Sequence, residues 1–221
     1  MNLSKLIDLA NGSGGTLYLM CLLMLVALTV IIERSRYILS LQQGGEAFMA
    51  MLRGNTALSG EPATTLLAKY AHLPHARMLH AATLEPEGAS RETAAGHLDE
   101  ALMHEVPLLD RSLWMLDTVI TLAPLLGLFG TIIGMFNAFS VLSDVQNGAS
   151  QITGGIAEAL IATASGLLIA MIGLLFFNWL NTRIRVIVHQ LETIKLMLLN
   201  RRFTLGAPAA VQAAAVRLKV A

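Results

Sequence analysis

Charge is what this sequence has least of. Only 14% of its 221 residues are Asp, Glu, Lys or Arg, where a soluble domain carries about a quarter. With 55% of the residues hydrophobic, the chain reads as a membrane protein. Cysteine is nearly absent. Cys21 stands alone, which excludes an intrachain disulfide, and its apolar surroundings suggest a buried structural thiol. No Cys/His cluster has metal-ligand spacing, and there is neither a Gly-rich phosphate loop nor a nucleophile elbow. Soluble enzyme chemistry therefore has no seat here, and no cofactor, bound metal or nucleic-acid partner is expected.

Three long apolar runs are present instead. Residues 1–14 are short and polar and end in the breakers Asn11-Gly12-Ser13-Gly14. Residues 15–32 then run without a charge, about 27 Å as a helix, enough to cross the hydrocarbon core. A cleaved signal peptide competes with this reading, but the run is long for a signal core and ends in the stop-transfer pattern Glu33-Arg34-Ser35-Arg36. From 33 to 117 the chain is polar and helical in pattern. Helices are expected at 47–53 and 64–83, separated by Gly54 to Pro62. A third should be capped by Ser90, with Leu98, Leu102, Leu109, Leu113 and Leu116 at helical spacing, and should run on into the next span. His72, His75, His80, His97 and His104 fit no ligand motif and read as solvated or interfacial.

The second span, 118–142, and the third, 152–180, are joined by a polar turn at 143–151 and so form an antiparallel hairpin. The third should continue to 203 as an amphipathic helix carrying Ile184, Ile187, Val188, Leu191, Ile194 and Leu198, followed by a mobile tail at 204–221. One basic residue precedes the first span, seven lie in 33–117, none in the turn and seven beyond 180. By the positive-inside rule the N-terminus and the turn are outside, and the polar segment and C-terminus are cytoplasmic. The expected fold is an all-α membrane protein with three transmembrane helices, N-out and C-in, whose long helices extend into the cytoplasm.

Glu158 is the one charge inside the third span. A carboxylate at membrane depth costs several kcal/mol unless it faces protein, water or a partner, so it marks a functional site. With Ala159, Ala162, Thr163, Ser165, Gly166 and Ala170 it falls on one side of a helix, opposite Leu160, Ile161, Leu167, Leu168, Met171, Leu174 and Leu175. In the second span Gly127, Gly130, Gly134 and Asn137 form a stripe with Thr131 beside it, and Pro124 lies in the first turns, where it can kink the helix. Close packing accounts for the glycines but not for Thr131 and Asn137. Counting from the turn, Thr131 and Thr163 are each eleven residues in, and Asn137 and Glu158 share a level nearer the turn. The result is a ladder of hydrogen-bonding groups suited to a relay.

The segments APLLGLFGTIIGMFNAF (123–139) and GGIAEALIATASGLLIA (154–170) together resemble the paired signature of the MotA/TolQ/ExbB proton-channel family, closest to the ExbB branch. The resemblance lies mainly in the second and third spans. It implies a non-enzymatic subunit of a bacterial inner-membrane motor driven by the proton gradient. Several copies, a pentamer in better understood members, would surround two single-span ExbD/TolR-type partners whose aspartate carries protons. The complex would energise a TonB- or TolA-type protein. Thr131, Glu158, Thr163 and Asn137 match the family's pattern residue by residue. The segment before the first span is short, so roles of the long periplasmic extension of some members do not transfer.

On this basis Glu158, Thr131 and Thr163 are the expected proton pathway, with Asn137, Ser165, Pro124, Gly127, Gly130 and Gly134 in support. Uptake through a TonB-type protein is the leading function. A TolQ-like role in envelope maintenance and a non-conducting membrane scaffold are the alternatives; the compact cytoplasmic segment argues against a flagellar-type stator. Asp117, Arg183 and Arg185 read as snorkelling anchors at the membrane edge.

Overall fold

The computed structural model describes residues 15–54, 67–86, 88–140 and 148–204, and it is all-helical there. The segment 1–14, the breaker after Gly54, most of the 143–151 turn and nearly all of the tail lie outside the described residues. Five helices follow in order: α1 (Thr16–Gly54), α2 (Pro74–Leu84), α3 (Arg91–Asp110), α4 (Leu113–Ser140) and α5 (Gly148–Thr204). Three of them, α1, α4 and α5, are long and apolar enough to cross a membrane. The chain divides into two compact units, the first formed by Met1–Ser35 and Ser112–Asn181, the second by Arg36–Arg111 and Thr182–Ala221. Both α1 and α5 contribute to each.

In the first unit α4 and α5 pack antiparallel through small residues. A Cβ built on Gly134 would lie 2.9 Å from the Ala159 Cβ, one on Gly130 2.9 Å from the Ala162 Cβ, and one on Gly127 3.0 Å from the Thr163 Cα. From the α5 side, a Cβ on Gly166 would meet the Ala123 carbonyl oxygen at 2.4 Å, and one on Gly173 the Ile120 side chain at 2.9 Å. Lipid tails are as apolar as leucine, so backbone approach of this kind supplies the association energy that burial cannot. Large side chains face outward: Leu125, Leu128, Phe129, Ile132 and Phe136 on α4, and Leu160, Leu167, Leu168, Met171 and Leu175 on α5 are all exposed. Cys21 is exposed as well, which corrects the expectation of a buried thiol. It lies on an outward face of α1 with Leu22 and Leu25, so apolar neighbours in sequence do not make it a core position.

The second unit has a conventional apolar core. Ile38, Leu41, Phe48 and Leu52 of α1 are buried, as are Met78 and Leu79 of α2, Leu98 and Leu109 of α3, and Ile184, Ile187, Leu191, Ile194 and Leu198 of α5. Each such side chain contributes about 1.5–3 kcal/mol on leaving water. Two expected helices are cut short. The helix expected at 64–83 breaks before Pro74, because proline holds Leu73 in extended backbone (φ −90, ψ 141) and itself starts α2. Ser90 does cap α3, its Oγ accepting from the Thr93 N–H at 3.1 Å. However, α3 stops at Asp110, and Ser112 takes φ 68 before α4 begins. The leucine pattern that crosses this point therefore belongs to two helices.

Candidate functional site

Along the α4/α5 hairpin the glycine contacts fix the level of every polar group. Gly130 lies beside Ala162 and Gly127 beside Thr163 and Ala162, so Thr131 is two to four residue steps, roughly 3–6 Å, nearer the α4–α5 connection than Thr163, and the single level counted from the turn is corrected to a stagger. Glu158 is about 7.5 Å nearer the α4–α5 connection than Thr163, next to Ala159 and hence near the level of Gly134, with Thr131 between.

The two threonines are tied to the backbone of one helix. Thr163 Oγ1 donates across to the Gly127 carbonyl at 2.9 Å, and Thr131 Oγ1 donates to the Leu128 carbonyl, three residues back, at 2.6 Å. A carbonyl can only accept, so both hydroxyl protons are committed. What each threonine still offers is an oxygen lone pair. Ser165 behaves like Thr131, its hydroxyl donating to the Ile161 carbonyl at 2.8 Å. The stretch thus presents acceptors, matched to a proton-bearing oxygen such as water or a protonated carboxylic acid.

The expected single polar face of α5 divides in the structure. Ala159, Ala162 and Gly166 are buried against α4, whereas Glu158, Thr163, Ser165 and Ala170 are half-buried beside that contact. Five residues separate Glu158 from Thr163, roughly 140° around the helix, which puts them on opposite flanks of the packed face. Glu158 makes no hydrogen bond or ion pair with another described residue. Asn137 is exposed, and the structure does not bring its amide to Glu158. Pro124 is half-buried one residue from Ala123, whose carbonyl sits against Gly166. Gly127, Gly130 and Gly134 are buried.

Sequence reasoning passed over Thr16. It is 2% exposed, and its Oγ1 lies 2.9 Å from the Cβ position of Gly130, so the first residue of α1 fits into the notch that Ala162 occupies from the other side. A threonine following a run of glycines reads as a helix start, and nothing in that pattern reports its burial.

Outside the spans the histidine expectation is corrected. His72, His80, His97 and His104 are exposed, but His75 is completely buried, with Nε2 3.0 Å from Gln190 Oε1. Burial lowers its pKa below the ordinary 6.5, opposed by the bond to Gln190. Glu105 is also buried. Loss of hydration raises its pKa, against the pull of Arg77 at 2.8 Å. Among the described residues no group of three His, Cys, Asp or Glu side chains is placed to hold a metal ion.

The family model described as the MotA/TolQ/ExbB proton channel family matches residues 70–193, more than half of the chain. The chain belongs to that family. It is 37% identical to biopolymer transport protein ExbB-like 3 of Synechocystis over 158 residues, 70% of this chain and 74% of that one. It is 40% identical to the Tol-Pal system protein TolQ of Haemophilus influenzae over 88 residues, 39% of each chain. With the biopolymer transport protein ExbB of Neisseria gonorrhoeae it shares 33% identity over 84 residues, 38% of each chain. Relatives of both the ExbB and the TolQ kind thus match, and the matches to these last two span less than half of their length. Membership of a proton-channel family and three apolar helices make this a membrane protein. The matched range contains Thr131, Asn137, Glu158 and Thr163, together with His75 and Gln190.

Proposed function

We propose that this chain is the proton-conducting subunit of an ExbB/TolQ-type motor in the bacterial inner membrane, and that protons pass Thr131 and Thr163, which follow one another along the hairpin. The observation that carries the reading is that both hydroxyls give their protons to α4 carbonyls. They therefore accept from a protonated carboxyl or a hydrated proton and release it without giving up a proton of their own. Glu158, nearer the connection than Thr163, tunes entry by its charge, and Ser165 and Asn137 support the hydrated path. Gly127, Gly130 and Gly134 let α5 approach closely enough for the Thr163 bond, and Pro124 shapes the helix below them.

Several copies, five in our reading, surround a single-span ExbD/TolR-like partner whose carboxyl meets the threonines, and the complex energises a TonB-like protein for uptake across the outer membrane. The N-terminal segment 1–14 and the turn at 143–151 lie in the periplasm; 15–32, 118–142 and 152–180 span the membrane; 33–117 and 181–203 are cytoplasmic, with the tail 204–221 beyond them. The distribution of basic residues supports this orientation. The TolQ similarity supports a second reading, in which the transducer is TolA-like and the task is envelope maintenance. A gene for a TonB- or TolA-like protein beside this one would separate the two.

The test is proton flux into liposomes under an imposed gradient, with the complex carrying Thr131→Val, Thr163→Val or Glu158→Ala. Partner-dependent flux that falls by at least about tenfold in both threonine variants, and measurably in the glutamate variant, is expected of a conduction path. An assembled native complex that passes no protons would overturn the proposal in favour of a scaffold.

A further inference from the structure

His75 is a titratable group that the proton path does not use, and its surroundings suit only one protonation state. Gln190 Oε1 accepts from Nε2, so in the neutral ring the proton is on Nε2. Nδ1 is equally buried and has no hydrogen-bond partner among the described residues. As a lone pair it is tolerated there, but as the second N–H of an imidazolium it would be a buried donor facing no acceptor, on a ring carrying a buried charge. The socket is also tight. A Cβ on Gly45 of α1 would lie 2.3 Å from Nε2 and 2.7 Å from the Gln190 oxygen, and the Phe48 ring is 6.3 Å from the imidazole, centroid to centroid.

Among the described residues no charge compensates. From α1 the ring meets Gly45 and Phe48; Glu46 is exposed and accepts from Gln42. From α5 it meets Gln190, while the neighbouring His189 is exposed and pairs with Glu192. On α2 itself His72 and Arg77 are exposed, and Arg77 is engaged by Glu105 of α3. Among the described residues no carboxylate pairs with His75.

We propose that His75 is a proton-operated latch: neutral, it pins α2 into the socket formed by Gly45 of α1 and Gln190 of α5, and protonated, it leaves that socket and releases α2. The sign follows from linkage. The ring binds a proton more readily released than docked, so the latch is at full strength above about pH 6.5 and weakens as pH falls toward the lowered pKa of the docked ring. If the chain conducts protons as proposed above, this makes the helical bundle a sensor of acid on the side where protons are delivered. The latch itself does not depend on conduction, so its test fails or succeeds separately.

That test is hydrogen–deuterium exchange of the intact protein in lipid nanodiscs, read on Pro74–Leu84 and corrected for the intrinsic pH dependence of exchange. On going from about pH 7.5 to about pH 5.5 the protection of α2 should fall by about tenfold, while α4 stays unchanged. In His75→Gln, which cannot titrate, the fall should shrink to less than about twofold. Gln190→Glu places a counter-charge against the Nε2 side of the protonated ring and should keep α2 protected at the lower pH, which serves as the reading should His75→Gln not assemble. An acid-induced loss of protection that persists undiminished in either variant, or its absence in the native protein, would overturn the latch.

Discussion

At Gly45 the packing leaves no room for a methyl group. The position a Cβ would take is 2.4 Å from His75 Cε1 and 2.3 Å from Nε2, and the ring cannot swing away because it is completely buried. Gly45→Ala should therefore cost about 1–3 kcal/mol, the range for overpacking a closed core. It should appear as a lower unfolding temperature of the purified protein, whereas Gly54→Ala, in open space, should be nearly neutral or mildly stabilising. A wild-type melting temperature for Gly45→Ala would mean that the socket is looser than its geometry. Residues of this kind were not legible in the sequence. Gly45, His75 and Gln190 come from three helices, and the spacing of the histidines carries no trace of a glycine thirty positions away. Counting from the turn put Thr131 and Thr163 at one level, but the α4–α5 contacts stagger them by two to four residues, because the count assumes a symmetric turn and the register depends on how the two helices pack. The Thr163 bond to Gly127 could not be read either, since it depends on how closely and at what rotation α5 lies on α4.

Helix ends show the same division at the scale of the element. Arg201 and Arg202 close α5, and the sequence shows only that they are basic and terminal. In the structure they serve other helices: Arg201 Nη2 donates to the Arg53 carbonyl of α1 at 3.4 Å, and Arg202 donates to the carbonyls of Ala82, Glu85 and Pro86 at the end of α2. The last carbonyls of a helix lack intrahelical donors and carry its negative dipole end, so a guanidinium there both bonds and neutralises. Arg202→Ala should loosen the end of α2 by about 1–2 kcal/mol, seen as faster exchange at Ala82–Leu84 and as new proteolysis near Pro86. Arg202→Lys should restore the charge but not the three-way bonding and fall in between. Equal exchange in all three proteins would refute a capping role. Other boundaries followed from local chemistry. Ser90 caps α3 as expected, and Pro74 starts α2 by an equally local rule that the expected 64–83 helix overlooked. The break at Ser112 has neither glycine nor proline to announce it, and a leucine period that continues across it hides the change of helix.

For the whole molecule, the exposed apolar faces of α4 and α5 exceed what water tolerates on a soluble monomer, so they meet lipid or other copies of the chain. Which end of each span meets which compartment is argued from charge alone. Seven basic residues lie between 33 and 117 and seven beyond 180, against none in the turn, an asymmetry that sets orientation through the cost of translocating Lys and Arg. The orientation can be tested directly in a Cys21→Ser background. A cysteine replacing Asn147 in the turn should react with a membrane-impermeant maleimide in whole spheroplasts. One replacing Met103, which is 72% exposed on α3, should react only after permeabilisation. The reverse pattern would invert the chain, placing the α2–α3 segment and the His75 latch in the periplasm and the Glu158 end of the path toward the cytoplasm. Labelling of both from one side would remove the second span itself, and with it the pairing of Thr131 and Thr163 across a membrane. The proposed direction of proton flow is therefore tied to this experiment, because Glu158 sits on the entry side only if Asn147 is outside.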